Sequence, residues 1–357
     1  MSGPETVAAD RDEWADRFDQ QAVACAELGS ALYGRLLHVI ADDLRADGPT
    51  WAILSERADL RFGQAGPLRL VGAAHRLALA GDAPAWAALL PSCGGTPPDD
   101  DGLLRAAWLD LVADHASELR AGLDREVQTN EVARAAGLGL AQAIGGFDSV
   151  RVVELGCSGG LNLRLDRFRI DLGDVVLGDP DGTVRLSPDV QGHGRGDLHL
   201  PTITQRVGID PHPIDATTED GRLTLLSFVW PDQAERFARL AAAIDLARVV
   251  PAELIATDDT ATTLRDVLAA DVAPDTATIV QHSIVWQYIP TDVRWQLTGI
   301  IESAGERATP DTPLAWVRYE PDEWNRARAA VWLRTWPGGA DRLVAHVDFH
   351  GRWLHAI

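Results

Sequence analysis

The 357-residue sequence contains no lysine; its 32 basic residues are all arginine. Schiff-base enzymes, including the pyridoxal-phosphate class, need a lysine amine, and the P-loop needs one on the nucleotide phosphates. Both classes are excluded. Basic charge is scarce altogether, since 53 acidic residues set the formal charge at −21. A surface that acidic repels phosphate backbones and anionic lipid headgroups, so neither a nucleic-acid nor a membrane partner is expected. The three cysteines, Cys25, Cys93 and Cys157, are too far apart for a disulfide framework or a zinc knuckle, and no metal site is expected. No apolar run approaches the roughly 18 residues of a membrane helix. The opening stretch MSGPETVAADRDEWADRFDQ has no apolar signal core. A cytoplasmic location is the resulting expectation.

What is present is enough apolar residue, 46%, to fill a substantial core, in a chain long enough for two units. Residues from about 12 to 122 read as helices. In QQAVACAELGSALYGRLLHVIADDL, apolar residues recur at three- and four-residue steps (Leu28, Leu32, Leu36, Val39, Ile40, Leu44). From about 150 short β-branched or apolar runs alternate with helical stretches: SVRVVEL, TITQRVGID, AELIATD, TATIVQHSI and PLAWVRYE. That alternation implies βαβ units and a mostly parallel sheet. The tail AAVWLRTW, PGGAD, RLVAHVDFHGRWL reads as a hairpin, so the sheet should end antiparallel. The expected division is a helical domain over 1–125 and a sheet domain over 126–357.

The sheet domain begins with VRVVELGCSGGLNLRLDRF, Val150 to Phe168. A strand that delivers a glycine-rich turn into a helix presents backbone N–H groups and the positive helix end to a crevice. Gly156 and Gly160 have no Cβ, so a ligand could approach the backbone there. The spacing departs from the dinucleotide fingerprint G-x-G-x-x-G, and Glu154 would repel a pyrophosphate. A carboxylate in that place suits an ammonium group, which favours S-adenosylmethionine over NAD. Asp210, ending RVGID, is the candidate ribose acceptor. It comes about 50 residues after the turn where about 20 is usual. The excess reads as an inserted hairpin at about 169–201, a possible lid. LIATDD supplies Asp258 or Asp259 for an adenine contact.

Segments spread over almost the whole chain carry a resemblance: QQAVACAELGSALYGRLL, VQTNEVARAA, VELGCSGGLNL, LLSFVWPDQAERFARL, HSIVWQYIP, TWPGG and FHGRWL. Together they resemble a bacterial family catalogued as domain of unknown function 2332. Its second half is similar to class I S-adenosylmethionine-dependent methyltransferases, whose parallel sheet also closes in an antiparallel hairpin. The fold implied is α/β: a Rossmann-like, mostly parallel sheet ending in an antiparallel hairpin, preceded by an N-terminal helical domain. The family name carries no reaction.

Chemistry in such a sheet belongs outside the carboxyl ends of the strands. His282, Ser283, Trp286, Gln287 and Tyr288 would there face a small-molecule substrate, with His282 as a base and Tyr288 beside it. Gln128, Thr129, Asn130 and Glu131 could close the pocket; equally, Thr129 or Asn130 could cap the next helix. Ser158 adds a possible backbone contact to the cofactor set of Glu154, Gly156, Gly160, Asp210 and Asp258. Two rivals remain at this stage. Gly156-Cys157-Ser158-Gly159-Gly160 also spells the nucleophile elbow G-x-S-x-G, with His346, His350 or His355 coming later in the hydrolase order, and Cys157 is a weaker nucleophile candidate. The fold could also serve a non-catalytic binding protein. Substrate and oligomeric state are not legible.

Overall fold

The computed structural model of the protein describes residues 10–57, 59–60, 64–128, 130–192 and 197–357. The chain divides into two units, Met1–Thr129 with Glu219–Ala238, and Asn130–Thr218 with Arg239–Ile357. The sequence reading assigned everything after 125 to the second unit. The return of Glu219–Ala238 to the first is the main difference.

The first unit is helical: α1 Arg11–Glu27, α2 Ala31–Arg45, α3 Trp51–Leu54, α4 Gly66–Ala80, α5 Pro84–Ala87 and α6 Asp101–Gly122. The apolar repeat over 28–44 is not one helix. Gly29 takes φ +94, a conformation open to glycine, and Ser30 starts α2 by accepting from Tyr33 N. Leu28 is left exposed at the break, while Leu32, Leu36, Val39, Ile40 and Leu44 are buried. They join Trp14, Phe18, Leu70 and Trp108 in this unit's core. Asp232 explains part of the chain's return: it accepts from Ser30 Oγ at 2.6 Å and from Leu32 N at 2.9 Å.

The second unit opens with α7 (Ala135–Gly145) and β1 (Ser149–Leu155). Next come β2 (Arg169–Asp171), β3 (Val176–Gly178), β4 (Arg185–Leu186) and β5 (Asp189–Gln191), then β6 (Thr202–Asp210). Beyond α8 (Glu219–Ser227), which belongs to the first unit, and α9 (Ala234–Ala247) lie β7 (Glu253–Ala256), α10 (Thr260–Ala269), β8 (Ala277–Ser283) and α11 (Thr291–Glu306). The last strands are β9 (Leu314–Pro321), β10 (Ala329–Trp336), β11 (Asp341–Val347) and β12 (Trp353–Ala356).

Nine strands form one sheet in the order β5-β12-β11-β10-β9-β8-β1-β6-β7. The pairs from β7 to β9 are all parallel, whereas β9 to β12 pair antiparallel. The chain is therefore an α/β protein with a large, mostly parallel sheet and an N-terminal helical region. Central β1 is buried on both faces after its first residue, as a strand flanked by parallel neighbours must be. Strand order reverses between β1 and β8, whose carboxyl ends carry Leu155 opposite His282.

Within the inserted segment β2 pairs antiparallel with β3, and β4 extends them into a small sheet of their own. The segment's last strand, β5, pairs with β12 at the edge of the main sheet. Residues 193–196 of this segment lie outside the described residues.

Candidate functional site

The glycine turn closes β1 through its own backbone. Gly156, Ser158 and Gly160 all have positive φ, at +65, +49 and +62. Gly156 N donates to Ile209 O at 2.8 Å, Ser158 N to Asp210 Oδ2 at 2.8 Å, and Gly160 N to Cys157 O at 2.7 Å. In place of the expected α-helix, Gly160 leads into a seven-residue 3₁₀ segment, Leu161–Arg167, broken by non-helical angles at Arg164. A helix-dipole contribution to ligand binding therefore falls away. The missing Cβ atoms are also accounted for by the protein itself. A Cβ on Gly156 would overlap Val285, and one on Gly160 would come within 2.7 Å of Leu254 Cδ2.

Glu154 precedes the turn, near the end of β1, and is only 3% exposed. Burial pushes its carboxyl from 4.5 to about 8; Gln281 and the charges of Arg164 and Arg134 offset this in part. Its Oε2 has no hydrogen-bond partner among the described residues. Gln281, its register partner on β8, accepts from Gln142 Nε2 of α7 at 2.8 Å. Gln142 Oε1 and Gln281 Nε2 are likewise unpartnered among the described residues. A row of three buried polar side chains thus ends at a neutral carboxyl group, an arrangement that stays costly unless a further group completes it.

The acidic strand ends differ from one another. Asp210 is committed twice, accepting from Ser158 N and, at 2.8 Å, from His212 N. Asp259 caps α10 through Thr262 N at 3.0 Å. Asp258 beside it is exposed. A cavity of about 460 Å³ does open beside Gly159, with Arg164, Asp215, Thr217 and Arg248 in its wall. Neither Glu154 nor Asp210 lines it.

His282 does not share a face with Glu154. Successive strand residues point to opposite sides, so Gln281 meets α7 while His282 turns to the side lined by Thr298 and Glu302 of α11. Its Nδ1 lies 2.6 Å from Glu320 Oε1 on β9, and its ring stacks on Trp286 at 4.4 Å. Glu320 Oε1 also accepts from Val285 N and Trp286 N, each at 3.2 Å. Ser283 O accepts from Arg134 Nη1, Gln287 belongs to the short turn Trp286–Tyr288, and Tyr288 is 75% exposed.

Of the polar stretch before α7, Thr129 lies outside the described residues. Asn130, which is half-buried, does not begin the next element. Glu131 does so, accepting from Ala133 N at 3.3 Å to start the short 3₁₀ turn Val132–Arg134. Buried Glu131 also gathers residues that the sequence reading did not assemble. Its Oε2 stands 3.4 Å from His350 Nδ1 and its Oε1 3.9 Å from Arg239, while its carbonyl accepts from Asn162 Nδ2 at 3.3 Å. Arg134 reaches Phe349 O at 3.0 Å. The signal was present in VQTNEVARAA, GLNL and FHGRWL, which all fall within segments carrying the family resemblance. Glu320, in the strand PLAWVRYE outside those segments, offered none.

The elbow reading keeps one feature, the left-handed Ser158. The rest does not assemble. The helix is missing, Ser158 N is taken by Asp210, and the three histidines face other groups: Asp322 for His346, Glu131 for His350 and Trp353 for His355. Burial raises the Cys157 thiol well above its ordinary value, the opposite of a nucleophile's requirement. All three cysteines are free. Among the described residues no helix is long and apolar enough to cross a membrane, and no cluster of His, Cys, Asp or Glu is arranged to hold a metal.

For an amino-acid-bearing cofactor, then, the polar groups fit and the space does not. Glu154 offers an unpartnered carboxyl oxygen, but Val285 fills the room over Gly156. These features define an α/β protein with buried polar groups at the carboxyl ends of its central strands and with the space over Gly156 filled by Val285. Residues 15–355 match the family described as "Uncharacterized protein conserved in bacteria (DUF2332)", and the chain belongs to that family. No curated protein and no solved structure matches it.

Proposed function

We propose that the second unit is a Rossmann-like, methyltransferase-like domain that binds S-adenosylmethionine at the ends of β1 and β6 and methylates a small molecule. The parallel strands, numbered among themselves, run 3-2-1-4-5, the doubly wound order, and ligands of such sheets sit where the order reverses. The observation that carries the reading is Glu154: a buried carboxyl at that reversal, whose Oε2 has no hydrogen-bond partner among the described residues and is complementary to an ammonium group. Asp210, on the adjacent strand end, retains lone pairs beyond its two backbone bonds for a ribose hydroxyl. The cofactor supplies an electrophilic methyl group; the chain's contribution is alignment and exclusion of water. His282 is not assigned as the base, because it faces the other side of the sheet.

The proposal requires Val285 to withdraw from Gly156. Calorimetric titration with S-adenosylmethionine and S-adenosylhomocysteine tests it. Binding should be tightened by Val285→Ala and weakened by Glu154→Gln. In buffers of different ionisation enthalpy it should release a proton as Glu154 ionises. The filled space over Gly156 favours a second reading, a non-catalytic protein on the same fold. Absence of binding by both the native chain and Val285→Ala would leave that reading standing and remove the first.

A further inference from the structure

Four of the twelve tryptophans converge on one cavity of about 430 Å³ in the second unit: Trp286, Trp316, Trp324 and Trp332. They come from the turn after β8, from β9, from the β9–β10 connection and from β10. Trp286 and Trp316 lie 5.9 Å apart between ring centres, and Trp324 and Trp332 6.4 Å. The volume falls within the range of small-molecule sites, which commonly combine aromatic walls with a few polar groups.

The charges in the wall are unequal. Arg318 pairs with Asp341, and Arg334 with Glu302 at 2.7 Å, so each guanidinium is neutralised within the wall. Neither arginine of the wall is left for Glu323, and Glu320 faces the His282 ring through Oε1 alone. Two polar atoms on this side of the sheet are left over. His282 Nε2 and Glu320 Oε2 are both buried without a partner among the described residues. Trp324, 79% exposed, stands at the cavity as a face that a ligand could cover.

We infer that this cavity is a binding site for an organic ammonium ion, held by tryptophan faces and by surplus carboxylate charge. A cation over tryptophan is attracted by the ring quadrupole. The unpartnered carboxyl oxygen of Glu320 suits one of its N–H groups, and the chain's charge of −21 concentrates cations around it. The site is independent of the cofactor reading, since it lies on the His282 face rather than the Glu154 face.

The test is calorimetric titration of the full chain, at low ionic strength and pH 7, with benzylammonium, benzyl alcohol and benzoate. Benzylammonium should bind at least tenfold more tightly than the alcohol, and benzoate should not bind. Trp324→Ala and Glu323→Gln change exposed residues that the fold does not depend on; each should weaken benzylammonium three- to tenfold. Glu320→Gln should weaken it further and leave the alcohol unchanged. Equal affinity for cation and alcohol would overturn the inference, as would indifference to both exposed substitutions. Loss of binding in Glu154→Gln alone would overturn it too, by moving the cation to the other face.

Discussion

Val285 stands over Gly156, filling the side of the glycine turn from which a ligand was expected to approach. The turn's first glycine is thus required by a residue far along the chain. Its positive φ adds a second, independent requirement.

Gly156→Ala should therefore cost stability twice: about 1–2 kcal/mol for the left-handed backbone and about 1–3 kcal/mol for overlap. Adding Val285→Ala should recover the second part and not the first. Urea midpoints of the two single variants and the double variant measure this. Strict additivity would mean that the two side chains do not meet.

Glu154 makes stability fall with rising pH. Its pKa is about 8 in the folded chain against 4.5 unfolded, so between those values the native state holds a proton that the unfolded state has lost. The contribution is whole below pH 4.5 and disappears as pH passes 8. Glu154→Gln should flatten this limb, and the difference between variant and native chain should grow in the variant's favour from about pH 5 to pH 8. Parallel curves would show that Glu154 ionises normally.

His75, in the first unit, acts with the opposite sign. Ser227 O can only accept, so Nδ1 donates to it at 3.1 Å and Nε2 accepts from Ser92 Oγ at 2.7 Å. Burial lowers this imidazole from 6.5 to about 4. Its stabilisation is present above pH 6.5 and is lost as pH falls through 4. His75→Gln should lose less stability than the native chain between pH 6.5 and 4. An unchanged acid limb in thermal melts would contradict the neutral imidazole.

Asp210 fastens the turn as well as lying at a strand end. Asp210→Ala should cost about 1–3 kcal/mol with no ligand present, because Ser158 N and His212 N lose their acceptor. Asp210→Asn, which keeps one oxygen, should lose less. A ligand-free midpoint unaffected by Asp210→Ala would leave the carboxylate free for binding alone.

The sheet strands were readable because each is a short apolar run between breaks, and the hairpin because PGGAD separates two such runs. The segment after Gly160 misled through its basic and leucine-rich look. Its own spacing carried the warning: Leu161, Leu163 and Leu165 recur by two rather than by three and four, and all are buried. The pairing of Ser30 with Asp232, or of His282 with Glu320, joins residues 202 and 38 positions apart. No local pattern encodes such partners; they arise from the order in which strands and helices stack. His350 was read only as a rival's third residue, since nothing near it in sequence names Glu131.

The insertion's last strand has a role separate from any lid. β5 covers β12 with three residues, of which Asp189 and Gln191 are exposed. Without it β12 would offer its N–H and C=O groups to a strand of another molecule. Shortening the 169–201 segment should thus be felt first as self-association, whether or not the strand ends bind a ligand.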